Sequence, residues 1–326
     1  MNSIEKIDKI NVKKKIAAAI SIISNSSLIV LKITAGLISG SISIISEALH
    51  SLADLAASFI AYFSIMKSSE PADEDHPFGH GKYEDLAGFI EALLIILTAI
   101  YIFYIAVEKL IKFGMDYEFE TNLGIIIMLI STIVNFFVSR YLFYMAKKSD
   151  SIALQTDAEH LNMDVYSSLS IFLGLLAVKI TGFYILDPIF ALIVAAIILR
   201  TGLNLTKQAS NNLLDGTLPQ SERETIKNVL EHFKDKGLMG VKSIKASKSG
   251  SKRAIQLTIF LPCKLTLLDA HTLCDEIEHA LGENFHHCSV IIHAEPNCIS
   301  GNREKCGLCK KSLDNLASIN NPTSLK

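Results

Sequence analysis

Residues 41–54 read Ser-Ile-Ser-Ile-Ile-Ser-Glu-Ala-Leu-His-Ser-Leu-Ala-Asp, placing ionisable side chains inside a stretch apolar enough to be a membrane helix. His50 and Asp54 are four residues apart, so on a helix both project from one face about one turn apart. Residues 157–164, Asp-Ala-Glu-His-Leu-Asn-Met-Asp, repeat the spacing with His160 and Asp164. Ionisable groups at membrane depth are costly and mostly functional. Two imidazoles and two carboxylates, one pair on each of two helices, are the donors a tetrahedral zinc ion takes.

Working outward, six stretches before residue 210 suit a hydrocarbon core about 30 Å thick, which takes about 20 mostly apolar residues to cross. They lie near 16–38, 41–66, 86–110, 122–146, 153–179 and 187–207. The third, fourth and sixth are close to uniformly apolar, whereas the second and fifth hold His and Asp in their interiors. Gly36 and Gly40, then Pro71, Pro77, Gly79 and Gly81, then Asp187-Pro188 punctuate the series. Half of the 326 residues are hydrophobic and the mean hydropathy is +0.36, too apolar for an ordinary soluble enzyme. A net charge of −2 gives no basic field for nucleic acid.

Lys6, Lys9, Lys13, Lys14 and Lys15 precede the first stretch. Lys67 and Lys82 lie in the second connection, Lys147 and Lys148 in the fourth, and Lys207 at the end. Only Lys109, Lys112 and Lys179 fall on the other side, so the positive-inside rule places both termini in the cytoplasm. Lys32, near the outer end of the first stretch, reads as a snorkelling charge. The start of the chain lacks the order of a secretory signal. Short, plain loops suit a cell membrane.

From about residue 208 the composition turns soluble. Ser221 with Glu224 reads as a capping box opening a helix to Lys236, stopped by Gly237 and Gly240. Val241–Ala246 and Ala254–Leu261 alternate like a hairpin, Leu267–Leu281 reads as a helix and Ser289–His293 as a strand. The order α-β-β-α-β makes a small α+β domain. The expected division is a tail over 1–15, a membrane domain over 16–207, an α+β domain over 208–296 and a cysteine-containing tail over 297–326. All six cysteines lie between Cys263 and Cys309, as thiols or metal ligands in a reducing compartment. Cys298, Cys306 and Cys309 form a C-x7-C-x2-C cluster whose donors suit zinc or a softer ion. The connection after the second stretch, Asp73-Glu74-Asp75-His76-Pro77-Phe78-Gly79-His80-Gly81-Lys82-Tyr83-Glu84, is dense in carboxylate and imidazole.

These segments, with Gly36-Leu37-Ile38-Ser39-Gly40-Ser41 and the motifs 47–54 and 157–164, make residues 10 to about 297 resemble the cation diffusion facilitators. The resemblance implies a homodimer of six-span protomers with a ferredoxin-like cytoplasmic domain, exchanging a divalent metal ion for protons by alternating access. It implies a transport site at His50, Asp54, His160 and Asp164, and a loop site at Asp73, His76 and His80. In the cytoplasmic domain His271, His293 and Glu295 match a metal cluster that some members have. There Lys242 and Thr258 stand where such members have His, so metal at that position stays open. Glu47 and Asp157, one turn before His50 and His160, are candidates to orient ligands or relay protons.

Zinc needs neutral His and ionised Asp, so metal and protons compete for the same four side chains. Mixed nitrogen and oxygen donors favour zinc over manganese, while iron(II), cobalt, nickel and cadmium accept similar sets. The absence of His-Glu-x-x-His argues against an intramembrane metalloprotease, and no G-x4-G-K-[ST] loop points to ATP. The expectation is therefore a secondary transporter with no cofactor beyond possible regulatory zinc. A metal-sensing dimer without transport is the remaining rival.

Overall fold

The structure, a computed structural model, describes residues 3–39, 42–111, 122–181, 185–285 and 288–297. It divides into two compact units, Met1–Leu214 with Ser249–Ser251, and Asp215–Lys248 with Lys252–Lys326.

The first unit is built from α1 (Ser3–Ser39), α2 (Ile42–Ser68), α3 (Lys82–Ile111), α4 (Asn122–Ser149), α5 (Ile152–Thr181) and α6 (Leu186–Leu213). The shortest has 27 residues, about 40 Å of helix and enough to cross a bilayer. By length and composition, Ile10–Ala35, Lys82–Glu108, Leu129–Ser149 and Pro188–Leu213 qualify as spans among the described residues. The other two helices, α2 and α5, carry most of the polar residues discussed below. Large apolar side chains such as Phe63, Leu97, Tyr101, Leu129, Phe137 and Ile193 lie exposed along the helices, as they would towards lipid. The interior is lined by small residues, among them Ala17, Ala18, Ala57, Ala61, Ala92, Ala153 and Ala158, which allow close helix approach. At Gly202 on α6 an added Cβ would meet Ile96 Cγ1 of α3 at 2.8 Å, so these helices touch nearly backbone to backbone.

Two details of the sequence reading change here. The helix α1 begins at Ser3, within the polar lysine-rich segment, and runs through Gly36 to Ser39. Lys32 does not snorkel: it is only 5% exposed and donates to Ser51 Oγ of α2 at 2.7 Å. Between α4 and α5 the chain turns on Asp150, at φ 52°, a left-handed conformation that short polar side chains tolerate.

The second unit comprises α7 (Gln220–His232), β1 (Gly240–Ser249), β2 (Lys252–Pro262), α8 (Leu267–Asn284) and β3 (Cys288–Asn297). The sheet order is β1-β2-β3, with β1 and β2 joined as a hairpin and β3 parallel to β2. Ile255, Leu257, Ile259 and Leu261 of β2 alternate into the core. They meet Ile226 and Leu230 of α7 and Leu273, Ile277 and Leu281 of α8, each set spaced by four along its helix. The expected capping box is not used, because α7 starts two residues earlier than a Ser221 cap would set it, with Pro219 at its N-cap and no side-chain cap bond. Thr266 caps α8 instead, accepting from Asp269 N at 3.1 Å. A short 3-10 turn, Lys234–Lys236, follows α7, and Gly237 at φ 114° ends it in a conformation that favours glycine.

Candidate functional site

Within the first unit, α2 and α5 face each other through polar side chains. His160 Nε2 lies 3.0 Å from Asp54 Oδ1, both groups buried. One turn along, Ser58 Oγ donates to Asp157 Oδ1 at 3.2 Å. Moving up α2 from 54 to 58 means moving down α5 from 160 to 157, so the helices run antiparallel. The same register brings position 50 of α2 level with Asp164 of α5. The side chains of Glu47 and His50 lie outside the described residues.

Asp164 is held from a third helix, since Asn135 Nδ2 of α4 donates to its Oδ2 at 3.2 Å. Ser139, one turn further along α4, donates to Ala158 O at 3.0 Å. Below Asp157 the polar seam continues: Asn25 donates to Ser58 Oγ at 2.8 Å and Ser21 lies 3.0 Å from it. At the end of the bundle nearest the 69–81 connection, Lys14 Nζ and Glu84 Oε2 form an ion pair at 2.6 Å, with side chains 2% and 1% exposed. Ser68 and Ser151 also donate to Glu84.

Sequence reading missed Asn135, Lys14 and Glu91, the last a fully buried carboxyl on α3. The signals were a lone charge between Asp85 and Glu108 for Glu91 and an amide among the few polar residues of the fourth stretch for Asn135, while Lys14, in the run Lys13-Lys14-Lys15, counted only as a cytoplasmic charge. The third and fourth stretches are therefore less uniform than expected.

In the connection between α2 and α3, Asp73, His76 and His80 bring one ligand atom each within 4.8 Å of one another. Asp73 Oδ1 accepts from the His76 backbone N–H at 2.6 Å, which holds its carboxyl below the usual Asp range, aided by the nearby His80 and His76 rings. His80 Nδ1 lies 3.1 Å from Pro71 O. A carbonyl only accepts, so Nδ1 carries a hydrogen, and Nε2 is the ring nitrogen that faces Asp73 Oδ2, 3.3 Å away. Gly79, at φ 83°, gives the loop the tight turn that brings the His76 and His80 rings within 4.4 Å of each other, tilted by 41°.

The cytoplasmic-domain residues behave differently. His271 and His293 are both 72% exposed, and the metal-capable cluster found among the described residues is the loop one. Lys242 Nζ lies 2.7 Å from Glu295 Oε1, supplying a cation to that carboxylate. Thr258 sits beside His293 in the sheet register. Cys298, Cys306 and Cys309 lie outside the described residues; Cys263, Cys274 and Cys288 are not joined in disulfides.

Long helices that bury a His/Asp rung between them, joined to a small α+β domain, define a membrane protein that handles cations. Residues 18–214 match the cation efflux transmembrane domain, and residues 218–297 match the cation efflux protein cytoplasmic domain. The transporter sll1263 of Synechocystis sp. is 32% identical over 267 residues, 82% of this chain and 85% of that protein. The cation-efflux pump FieF of Yersinia enterocolitica is 33% identical over 285 residues, 87% of this chain and 93% of its own. A solved structure of CzrB is 29% identical, covering 25% of this chain and 99% of that one, with a TM-score of 0.24. The chain belongs to the cation efflux family. It is thus a multi-pass membrane transporter, not an enzyme, with six transmembrane helices and a C-terminal cytoplasmic α+β domain.

Proposed function

We propose that the protein exports a divalent transition-metal cation, zinc by preference, from the cytoplasm in exchange for protons. The carrying observation is the buried His160 Nε2–Asp54 Oδ1 contact at 3.0 Å. A hydrogen bond between these groups holds a proton between them, and a metal ion bound to both has to displace it. Metal and proton are then alternative occupants of one place. His50 and Asp164, level with each other on the adjoining turn, complete a two-nitrogen, two-oxygen donor set that suits zinc. Iron(II), cobalt, nickel and cadmium accept related sets, and manganese prefers oxygen alone.

The Asp73, His76 and His80 loop is a second metal site on this reading, collecting cations at the cytoplasmic mouth. In the α+β domain the Lys242–Glu295 pair opposes a metal at His271, His293 and Glu295, so the domain serves chiefly to join two protomers into a homodimer. The protein resides in the cell membrane with both termini cytoplasmic.

The test is zinc uptake into inside-out vesicles by wild type, Asp54→Ala and His160→Ala. Each variant removes one of four donors, so zinc affinity should fall by at least about 100-fold while the protein elutes as wild type does. Flux like wild type in both variants would remove the site. Wild-type vesicles that favour manganese over zinc would reassign the substrate.

A further inference from the structure

Glu91 of α3 is 0% exposed, and neither of its carboxyl oxygens has a hydrogen-bond partner of good geometry. Its near neighbours are on α5. At Gly88, one turn before Glu91, an added Cβ would lie 3.3 Å from Ile152 and 3.5 Å from Thr156 Oγ1, so α3 and α5 pack closely at this level. The Thr156 hydroxyl beside Glu91 is already committed, donating to Ile152 O at 2.9 Å or Ala153 O at 3.1 Å. It has no second hydrogen to give, but its lone pairs can accept. Asp157, the next residue, is also fully buried; its Oδ1 accepts from Ser58, and its Oδ2 has no partner.

A buried ionised carboxylate with no protein donor is among the costliest arrangements a protein can hold, and two adjacent ones are worse. A protonated Glu91 removes the conflict, since its O–H can donate to Thr156 Oγ1. Asp157, which has a hydroxyl donor, is the better seat for the single negative charge.

We infer that Glu91 carries a proton and forms with Asp157 a second proton-holding pair, one turn to the cytoplasmic side of the His160–Asp54 rung. This rests on the antiport reading and extends it. The titratable groups near Glu91 are Asp157 and His160, both of α5. Asp54 of α2 is paired with His160. Towards α3, α6 offers Ile198, Gly202 and Leu205, all uncharged. The hydrogen bond of His160 runs to Asp54, so the Glu91 proton is separate from the one that metal displaces there. A divalent ion bound at the rung stabilises negative charge one turn away and so draws off the Glu91 proton.

The experiment is infrared spectroscopy of the full-length protein in detergent, chelated and then loaded with zinc. Proton release per zinc is counted with a pH dye in weak buffer. In the wild type a protonated-carboxyl band should be present before zinc and diminish after it. Glu91→Gln keeps the shape and a donor for Thr156; it should lack that band and release about one proton fewer per zinc bound. Glu91→Asp, which keeps the acid on a shorter stem, should shift the band rather than abolish it. A band and proton count identical to wild type in the Gln variant, or no protonated-carboxyl band in the wild type, would overturn the inference. Zinc binding by the wild type with no proton release at all would instead refute the antiport reading, and the band comparison would still decide on Glu91.

Discussion

Asn135 illustrates how little at this site is left to chance at the level of single side chains. Its amide donates to Asp164 Oδ2 from α4, so the carboxylate is aimed by a residue that is not itself among the proposed ligands. Partners of this kind fix the direction of ligand lone pairs and commonly contribute 10–100-fold to metal affinity. Asn135→Ala should therefore weaken zinc binding by about 10-fold or more without removing a donor atom. Calorimetric titration of the purified protein checks this, and an unchanged affinity would mean that Asp164 is oriented by something else. His80 shows the same economy in the loop, where the Pro71 carbonyl engages Nδ1 and leaves Nε2 to face Asp73.

Between elements, the Lys14–Glu84 pair joins α1 to α3, through Ser68 to α2, and through Ser151, which precedes α5 and accepts from Leu154 N, to the start of α5. Four of the six membrane helices thus meet at one buried charge pair. Breaking such a pair from one side leaves an uncompensated charge and costs about 3–5 kcal/mol, whereas replacing both partners by neutral groups costs far less. Lys14→Met should lower the unfolding temperature of the detergent-solubilised protein sharply, and Lys14→Met combined with Glu84→Gln should recover most of the loss. Additive losses would show that the two side chains do not depend on each other.

This contact also marks where the sequence stops being readable. The six helices and the αββαβ order were legible because hydrophobic length and period are local properties. The repeated His-x3-Asp spacing was legible because it lies within single helices. Lys14 and Glu84 are 70 residues apart, and nothing local distinguishes a lysine that solvates a helix end from one that is buried in an ion pair. Lys32 was misread for the same reason. Glu91 was the one charged residue between Asp85 and Glu108, and Asn135 one of several polar residues in the fourth stretch, where the face each occupies depends on how the helices pack. The capping box failed differently: Ser221 and Glu224 fit the pattern, but Pro219 permits a start two residues earlier.

For the whole molecule, the account rests on coupling. The seam from the Asp54–His160 rung through Asp157 and Glu91 towards Glu84 places carboxyls and hydroxyls along the interior of the six-helix domain, and no phosphate-binding motif offers ATP as a driving force. On the proposed antiport, energy for export comes from protons moving the other way. The direct measurement is zinc flux in proteoliposomes containing the full-length protein, under an imposed pH gradient, with and without a protonophore. The account predicts zinc accumulation that follows the gradient, collapses when the protonophore is added, and is absent in Asp54→Ala. Zinc flux of equal size with the gradient present and collapsed would contradict it.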